Sequence, residues 1–597
     1  METAFVLDIK LQLWPQTLLY KFFYAVAYWV NYNIYFCKAA FFILGLVFSH
    51  KVVENTMESS LMDYLTDLGK SVPEAAVIVN TQEGLSLICA LIIAHFADTC
   101  IGRFDVVLYA TSSYFFGLLI LCLASWFAYR PNTLGPSIKA PIIVIMVLLA
   151  VGKASKNPPL KAFLSDQLVE HKTFVYKDDS QVAARVKVWW FLASVLGSFA
   201  SVIISGSYPE QIGMHIGSSE QMIFIIPALA MGVSYFIFWS GIGFYYRENP
   251  TGSPLTIVYR VFKASVLKLH QRYPNDPNDY YDNHSDQLVL FPDIRILRWL
   301  DKAAILESSP LLEEQVQGGR LCSVRDVKRV KQLLTSIPLW TTLLGFGLVL
   351  ATGSTFFVKQ SDNLDEVVPI NAFFLIQDLV SYAAPYLYNK SIAKWWHKPM
   401  QQAMLVRIGV GMAFSILCCL SAWQYELHRL NLIHIYGKDT ALPMSILWLA
   451  PQYICLGVVE GLVNDVIMFN YQDTDEWMEH YESPFKDCGL GFGKVLSAVL
   501  VSMFRGCWFN DTISTSHLDR YFLLLACLSS LNLCFYGYVA CKYTCSEAPP
   551  DPDKNCMNLG LGPVTGSKVP LFEQSLSFPA SSAAASRVVP LGSQTLT

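Results

Sequence analysis

Charge is what this chain has least of. Of its 597 residues only 15% are Asp, Glu, Lys or Arg, and 43 basic against 47 acidic side chains leave a formal net charge of -4. So slight a balance gives no polyanion a reason to bind, and nucleic acid is excluded as a partner. Metal-ligand spacing is missing as well: the 15 cysteines are scattered, several (Cys89, Cys418, Cys419, Cys455) within apolar stretches, in neither a ligand pattern nor an even framework. They read as reduced, buried side chains, and no cofactor is expected. No nucleophile stands with a base and no glycine loop is set to cradle phosphate, which excludes an enzyme. A cleavable signal peptide is missing too, because Glu2, Asp8 and Lys10 precede an aromatic-rich stretch rather than a short apolar region with a small-residue cleavage site. The first apolar span is then expected to be an uncleaved anchor.

Apolar residues fill the space that charge leaves: 53% of the chain is hydrophobic and the mean hydropathy is +0.38. A helical span needs ~20 such residues. Runs of that length are expected near 35–55, 76–98, 104–128, 141–163, 184–206 and 220–245, then near 332–357, 368–388, 402–423, 443–469, 486–506 and 518–541. The reading is an all-α membrane protein with twelve transmembrane helices in two sets of six. Its expected parts are an N-terminal segment 1–34 with an interfacial helix near Leu18 to Tyr35, a first bundle 35–246, a basic central loop 247–331, a second bundle 332–545 and a tail 546–597. The tail, rich in Pro, Ser, Ala and Gly, buries too little to offset its ordering entropy and is expected to be disordered.

Basic residues set the orientation. With a cytosolic N-terminus, Arg103, then Lys172, Lys177, Arg185 and Lys187, then the central loop, then Lys390, Lys394 and Lys398 all fall inside. Both termini are then cytosolic, and the sequon at Asn510, Asp511 and Thr512 falls outside as a candidate for glycosylation.

Short motifs give the apolar layout a family. Asp98, Gly102 and Arg103 form a carboxylate, a tight-turn glycine and a pairing cation between spans two and three, resembling the gating loop of major facilitator transporters. Pro250-Thr-Gly-Ser-Pro-Leu-Thr256, Trp299-Leu-Asp-Lys-Ala-Ala-Ile305, Phe163 with Asp166-Gln167, Ser354-Thr-Phe-Phe-Val358 and Pro443-Met-Ser-Ile-Leu-Trp-Leu-Ala-Pro-Gln452, with Glu460 beyond it, resemble the plant nitrate and peptide transporter family in order and spacing. That family consists of proton-dependent oligopeptide transporters of the major facilitator superfamily. The resemblance implies the major facilitator fold, two six-helix bundles around a central cavity, and alternating access.

The same resemblance locates departures. The family's first-span E-x-x-E-[K/R] falls on Val47, His50 and Lys51, without either acid, and its fourth-span lysine falls on Asn157, with Lys153, Lys156 and Lys161 nearby. Loss of acids together with loss of their lysine is consistent, since an unpartnered cation in a membrane is costly. Two readings of the remaining acids stay open. His50 and Glu54 share a helix face and form a replacement pair beside Lys51, or Glu54 and Glu58 mark the wet outer end of the span, as Glu83 would in the second. Glu460, mid-span, aligns with the family acid that meets a substrate's amino group. Lys494 is a second intramembrane charge that would neutralise Glu460 or hold an anionic solute, and Thr352 stands where the family carries a glutamine. Leu350 replaces the histidine of nitrate carriers, which disfavours nitrate.

The function expected is secondary transport of a small organic solute, peptide-like, hormone or other metabolite, across a lipid bilayer. Glu460, Lys494 and Thr352 would meet the solute, and coupling to protons is weak, absent or rerouted through His50, Lys51 and Glu54. A transport-incompetent receptor and a facilitative uniporter are the alternatives. The plasma membrane is the expected site, with the vacuolar membrane second, and either a monomer or a homodimer is compatible.

Overall fold

The computed structural model describes residues 36–128, 139–169, 179–206, 223–250, 252–274, 279–282, 295–307, 312–362, 364, 368–393, 400–437, 442–464 and 479–546. The chain divides into a unit of residues 1–544 and a second of residues 545–597. The expected interfacial helix near Leu18 to Tyr35, Lys172, Lys177, Lys394, Lys398 and the tail beyond Ser546 lie outside the described residues.

Helices dominate, and no strand is present among the described residues. A backbone surrounded by lipid must satisfy its own N–H and C=O groups, and a helix does so within one segment. Helices occupy all twelve predicted regions: α1 Lys38–Asp67, α2 Val72–Phe96, α3 Arg103–Ala128, α4 Lys139–Ala154 continued by Lys156–Leu160 and Lys161–Leu168, α5 Asp179–Gly206 and α6 Ile225–Ser240. The second set is α7 in three pieces (Ile337–Thr341, Leu343–Leu350 and Phe356–Lys359), α8 Asn371–Tyr388, α9 Met400–Tyr436, α10 Ala450–Asn464, α11 Glu479–Met503 and α12 Leu518–Ser546. Among the described residues, eight helices are long and apolar enough to cross a bilayer, or nine when the bent pair Val324–Thr341 and Leu343–Leu350 counts as one. Among those that fall short are α1, α8 and α11, which carry Lys51, Glu54 and Glu58, Asp378, and Lys486, Asp487 and Lys494. Their polarity marks the interior site described below.

Two predicted ends were drawn too early. α1 runs to Asp67 instead of 55, and α9 runs to Tyr436 instead of 423. In α1, the acids that suggested a wet end are neutralised inside the protein. In α9, Arg429 Nη2 donates to Glu426 at 2.7 Å, and Gln360 Nε2 donates to the same carboxylate at 2.7 Å.

The halves meet closely. A Cβ on Gly84 of α2 would lie 2.7 Å from the Gly491 carbonyl of α11, and a Cβ on Gly491 would lie 2.7 Å from the Gly84 carbonyl. Glycine at both positions lets the backbones touch. α5 packs on α8 across the same divide. Between the halves, the central segment is more than a basic linker. Helices Pro254–Leu267 and Val324–Thr335 and the 3-10 stretch Arg295–Ala304 enclose their own core of Val261, Ala264, Leu300, Ala303 and Val330. Lys268 Nζ, buried there, donates to the Ile305 carbonyl at 2.6 Å, and that burial pulls its ammonium below its ordinary range.

Candidate functional site

Four lysines and five carboxylates gather where the halves meet. Lys51 on α1 reaches Asp378 on α8 at 2.9 Å and Glu54, one turn along its own helix, at 3.6 Å. Lys156, in the π-turn of α4, pairs with Glu54. One turn earlier, Lys153 is shared by three carboxylates: Glu58 at 3.2 Å, Glu54 at 3.3 Å and Glu83 of α2 at 3.6 Å. Glu83 also pairs with Lys494 of α11 and accepts from Ser354 Oγ at 3.2 Å. Ser198 of α5 donates to Asp378. An unbroken chain thus runs from Asp378 through Lys51, Glu54, Lys153 and Glu83 to Lys494. Its first and last links, Lys51 with Asp378 and Lys494 with Glu83, tie one half to the other.

Local backbone explains why these groups meet. Lys153 and Lys156 bracket a change from α to π winding at Lys156–Leu160, which rotates the two side chains toward a common face of α4. α7 is interrupted at 351–355, and the break carries Ser354 to Glu83. Tyr453 OH satisfies one carbonyl freed by that break, Gly353 O, at 3.2 Å.

The fifth carboxylate, Glu460 on α10, is placed differently. Gln377 Nε2 of α8 donates to it at 3.1 Å, and among the described residues no lysine or arginine lies within ion-pair distance of it. It is half-buried beside the bridge made by Lys51 and Asp378. An intramembrane carboxylate is a functional candidate by default.

Both ends of the helix assembly carry ionic fasteners. On the side of the central segment, Arg103 Nη1 holds Asp166 at 2.8 and 3.0 Å, and Nε holds Asp98 at 3.2 Å. Gly102 turns the chain between them at φ 94°, a conformation that favours glycine. Gly252 N donates to the Asp98 carbonyl at 2.9 Å, and Tyr481 OH of α11 donates to Ala94 O at 3.2 Å. On the opposite side Lys359 of α7 reaches Asp63 of α1 at 2.5 Å and Asp362 at 3.2 Å, while Arg505 reaches Glu74 at 2.7 Å. Burial pushes the Asp362 carboxyl up to about 6, with Lys359 opposing and Asp63 adding to the rise.

The residues singled out from sequence divide by position. Lys51, Glu54, Lys494 and Glu460 fall in or against the cluster, and Asp98, Gly102 and Arg103 form the clasp. Lys494 reaches Glu83 rather than Glu460, because α11 packs along α2. His50 does not pair with Glu54: its ring is buried and stacked on Tyr114 at 5.1 Å, with Nε2 unpartnered, and Glu54 is taken by lysines. Thr352 is buried with its hydroxyl donated to the Val349 carbonyl at 2.6 Å. Asn510 is exposed, its side-chain amide donating to Thr515 O at 2.7 Å. Glu54, Glu58 and Glu83 are not a wet rim, and the fourth-span cation is not missing, since Lys153 and Lys156 answer those acids. Asp378 escaped sequence reasoning, although a lone acid in an apolar run was the available signal.

Comparison with known proteins gives the family and the fold. The family model described as the POT family matches residues 104–509. Protein NRT1/PTR family 5.7 of Arabidopsis thaliana is 28% identical over 548 residues, covering 86% of this chain and 89% of its own length. Protein NRT1/PTR family 5.5 of the same plant is 29% identical over 501 residues, covering 81% and 93%. Among solved structures, an auto-inhibited POT family peptide transporter aligns with TM-score 0.58 at 16% identity, over 84% of this chain and 96% of that one. A POT family transporter in complex with 5-aminolevulinic acid aligns with TM-score 0.54 at 12% identity, over 85% and 98%. The fold is therefore of the major facilitator type, and the chain belongs to the POT family, whose members are multi-pass membrane transporters and not enzymes.

Proposed function

We propose that the protein is a secondary active transporter of a small zwitterionic organic solute, peptide-like or otherwise amino-bearing, working by alternating access with protons as the coupling ion. Glu460 carries the reading. Among the described residues its carboxylate has only Gln377 as donor, so a solute ammonium would supply a counter-charge, a charge-assisted hydrogen bond worth ~1.5–3 kcal/mol. Lys51 and Lys494 are each already paired, and either would serve a solute carboxylate on release. Leu350 and the internally bonded Thr352 offer nothing to nitrate. The central segment and both termini are placed in the cytosol and the protein in the plasma membrane. The halves would rock about the crossing of α2 and α11, opening the Arg103 side or the Lys359 side by turns.

Charge placement suggests how coupling survives without acids at Val47 and His50. Glu54 lies one turn beyond His50 on α1, and Lys153 lies one turn before Asn157 on α4. α1 and α4 run in opposite senses, so both displacements point away from the cytosol. Acid and cation have moved together, as a pair must if neither is to stand alone in a low-dielectric interior.

Purified protein in liposomes with an imposed inward proton gradient, offered radiolabelled dialanine and 5-aminolevulinic acid, tests the reading. Accumulation of either above the no-gradient level, lost in Glu460→Gln, is expected. Accumulation that survives Glu460→Gln removes that residue from the site, and a chain that moves neither probe with or without the gradient is not this transporter.

A further inference from the structure

Among the described residues, counting charges in the cluster leaves one carboxylate over. Glu54, Glu58, Glu83, Asp378 and Glu460 oppose Lys51, Lys153, Lys156 and Lys494, and a surplus charge among helices excluded from water is costly. One bound proton removes it, and a zwitterionic solute adds none. Partners decide where that proton resides. Glu54 has Lys156, Lys153 and Lys51; Glu83 has Lys494, Lys153 and the Ser354 hydroxyl; Asp378 has Lys51 and the Ser198 hydroxyl. Glu460 accepts from an amide, a donor that suits a carboxylate. Glu58 has Lys153 alone, at 3.2 Å, and Lys153 is divided among three acids.

We propose that Glu58 is a proton-binding site of this protein, and that the proton it takes sets how firmly Lys494 holds the two halves together. The groups that face it are Lys153 from α4, Glu83 from α2, Tyr114 from α3, Tyr453 from α10, and Glu54 and Lys51 from its own helix. It lines a narrow cavity together with Met57, Leu61, Val79, Leu149 and the amide of Gln82, a mostly apolar surface beyond the charged groups that gives a carboxylate little solvation and a neutral carboxyl no penalty. When Glu58 is protonated, Lys153 is drawn wholly to Glu54 and Glu83. Glu83 then has two ammonium groups competing for it, and the link to Lys494 on the other half weakens. When the proton leaves, Lys153 returns to Glu58 and Glu83 closes on Lys494. The site is a carboxyl and its ligand a proton, whether or not the solute assignment above holds; only its use in coupling rests on that assignment.

The test needs no solute. pH-difference infrared spectra of the purified full chain in phosphatidylcholine vesicles are expected to show the C=O stretch of one desolvated carboxyl that appears as pH falls. Glu58→Gln is expected to abolish it and Glu460→Gln to leave it at full intensity. Glu58→Asp, which keeps a carboxyl on a shorter arm, is expected to retain the band at a displaced frequency, so loss of fold in the glutamine variant would not be mistaken for loss of the site. A wild-type protein without the band, a band that persists in Glu58→Gln, a band lost in Glu460→Gln or an unmoved band in Glu58→Asp each overturns the proposal.

Discussion

The first half of the protein and the second half carry buried charge in opposite styles. In α1–α6, Lys153 is shared by three acids, and Glu54 by three lysines, so that moving one partner redistributes the rest. In α7–α12, Asp378 and Lys494 reach across into that network, but the most deeply buried pair is closed: Arg429 holds Glu426 at 2.7 and 3.0 Å within one helix and Gln360 completes it. The shared network is suited to responding to a proton, while the closed pair is suited to holding a helix. Glu460 stands apart from both styles, an acid whose donor is the neutral amide of Gln377. The division teaches that in a membrane interior the count of partners, more than the number of charges, separates a working group from a structural one.

Removing Glu460's charge is the break expected to cost transport most. Glu460→Gln is expected to lower uptake of an amino-bearing solute by ~10- to 100-fold, the factor corresponding to a lost charge-assisted contact of ~1.5–3 kcal/mol, with thermal stability of the detergent-solubilised protein unchanged. Next comes Lys153→Gln, which leaves Glu58 without a cation and removes one of several from Glu54 and Glu83. A loss of ~3–5 kcal/mol is expected, the scale for breaking a buried pair on one side, read as a lowered unfolding temperature; adding Glu58→Gln to it should restore part of the loss. If the double variant is no more stable than the single one, Glu58 and Lys153 do not act as a unit.

Gly84→Ala probes the contact between halves. Its methyl would sit 2.7 Å from the Gly491 carbonyl, and ~1–3 kcal/mol of strain is expected from such overpacking. Cross-linking between cysteines engineered on α2 and α11 should slow in this variant; an unchanged rate would mean that the helices separate without cost. The smallest effect lies at the fastener opposite the central segment. Asp362 holds its proton up to about 6, above the ordinary Asp range, so the folded protein binds that proton more tightly than the unfolded chain. Its contribution therefore favours folding below about pH 4 and fades as pH rises through 6. Asp362→Asn should flatten the unfolding temperature across that window, and a slope equal to that of the unmodified protein would remove Asp362 from the account.

Much of this was legible in the sequence, for identifiable reasons. Spans were visible because lipid demands long apolar helices, and the Asp98, Gly102 and Arg103 clasp because its geometry is local. The ends of α1 and α9 were not: Glu54 and Glu58 look like boundary residues until Lys153 and Lys156 of another helix are in place, and the pair of Glu426 and Arg429 is completed by Gln360, 66 positions away. His50 and Glu54 looked paired for the same reason: spacing on one helix is visible in sequence, and the competition from Lys153 and Lys156 on another is not. Lys494 was recognised as an intramembrane cation but given the wrong acid, because the crossing of α2 with α11 rests on Gly84 and Gly491, residues without side chains to announce a contact.

Solute exchange and solute accumulation, measured side by side in liposomes with labelled dialanine and 5-aminolevulinic acid, test the central division most directly. Counterflow needs only a binding site and moving halves, whereas accumulation under an imposed proton gradient also needs the proton site. The account predicts that Glu58→Gln keeps counterflow and loses gradient-driven accumulation, while Glu460→Gln loses both. Accumulation that survives Glu58→Gln, or counterflow that survives Glu460→Gln, would contradict it.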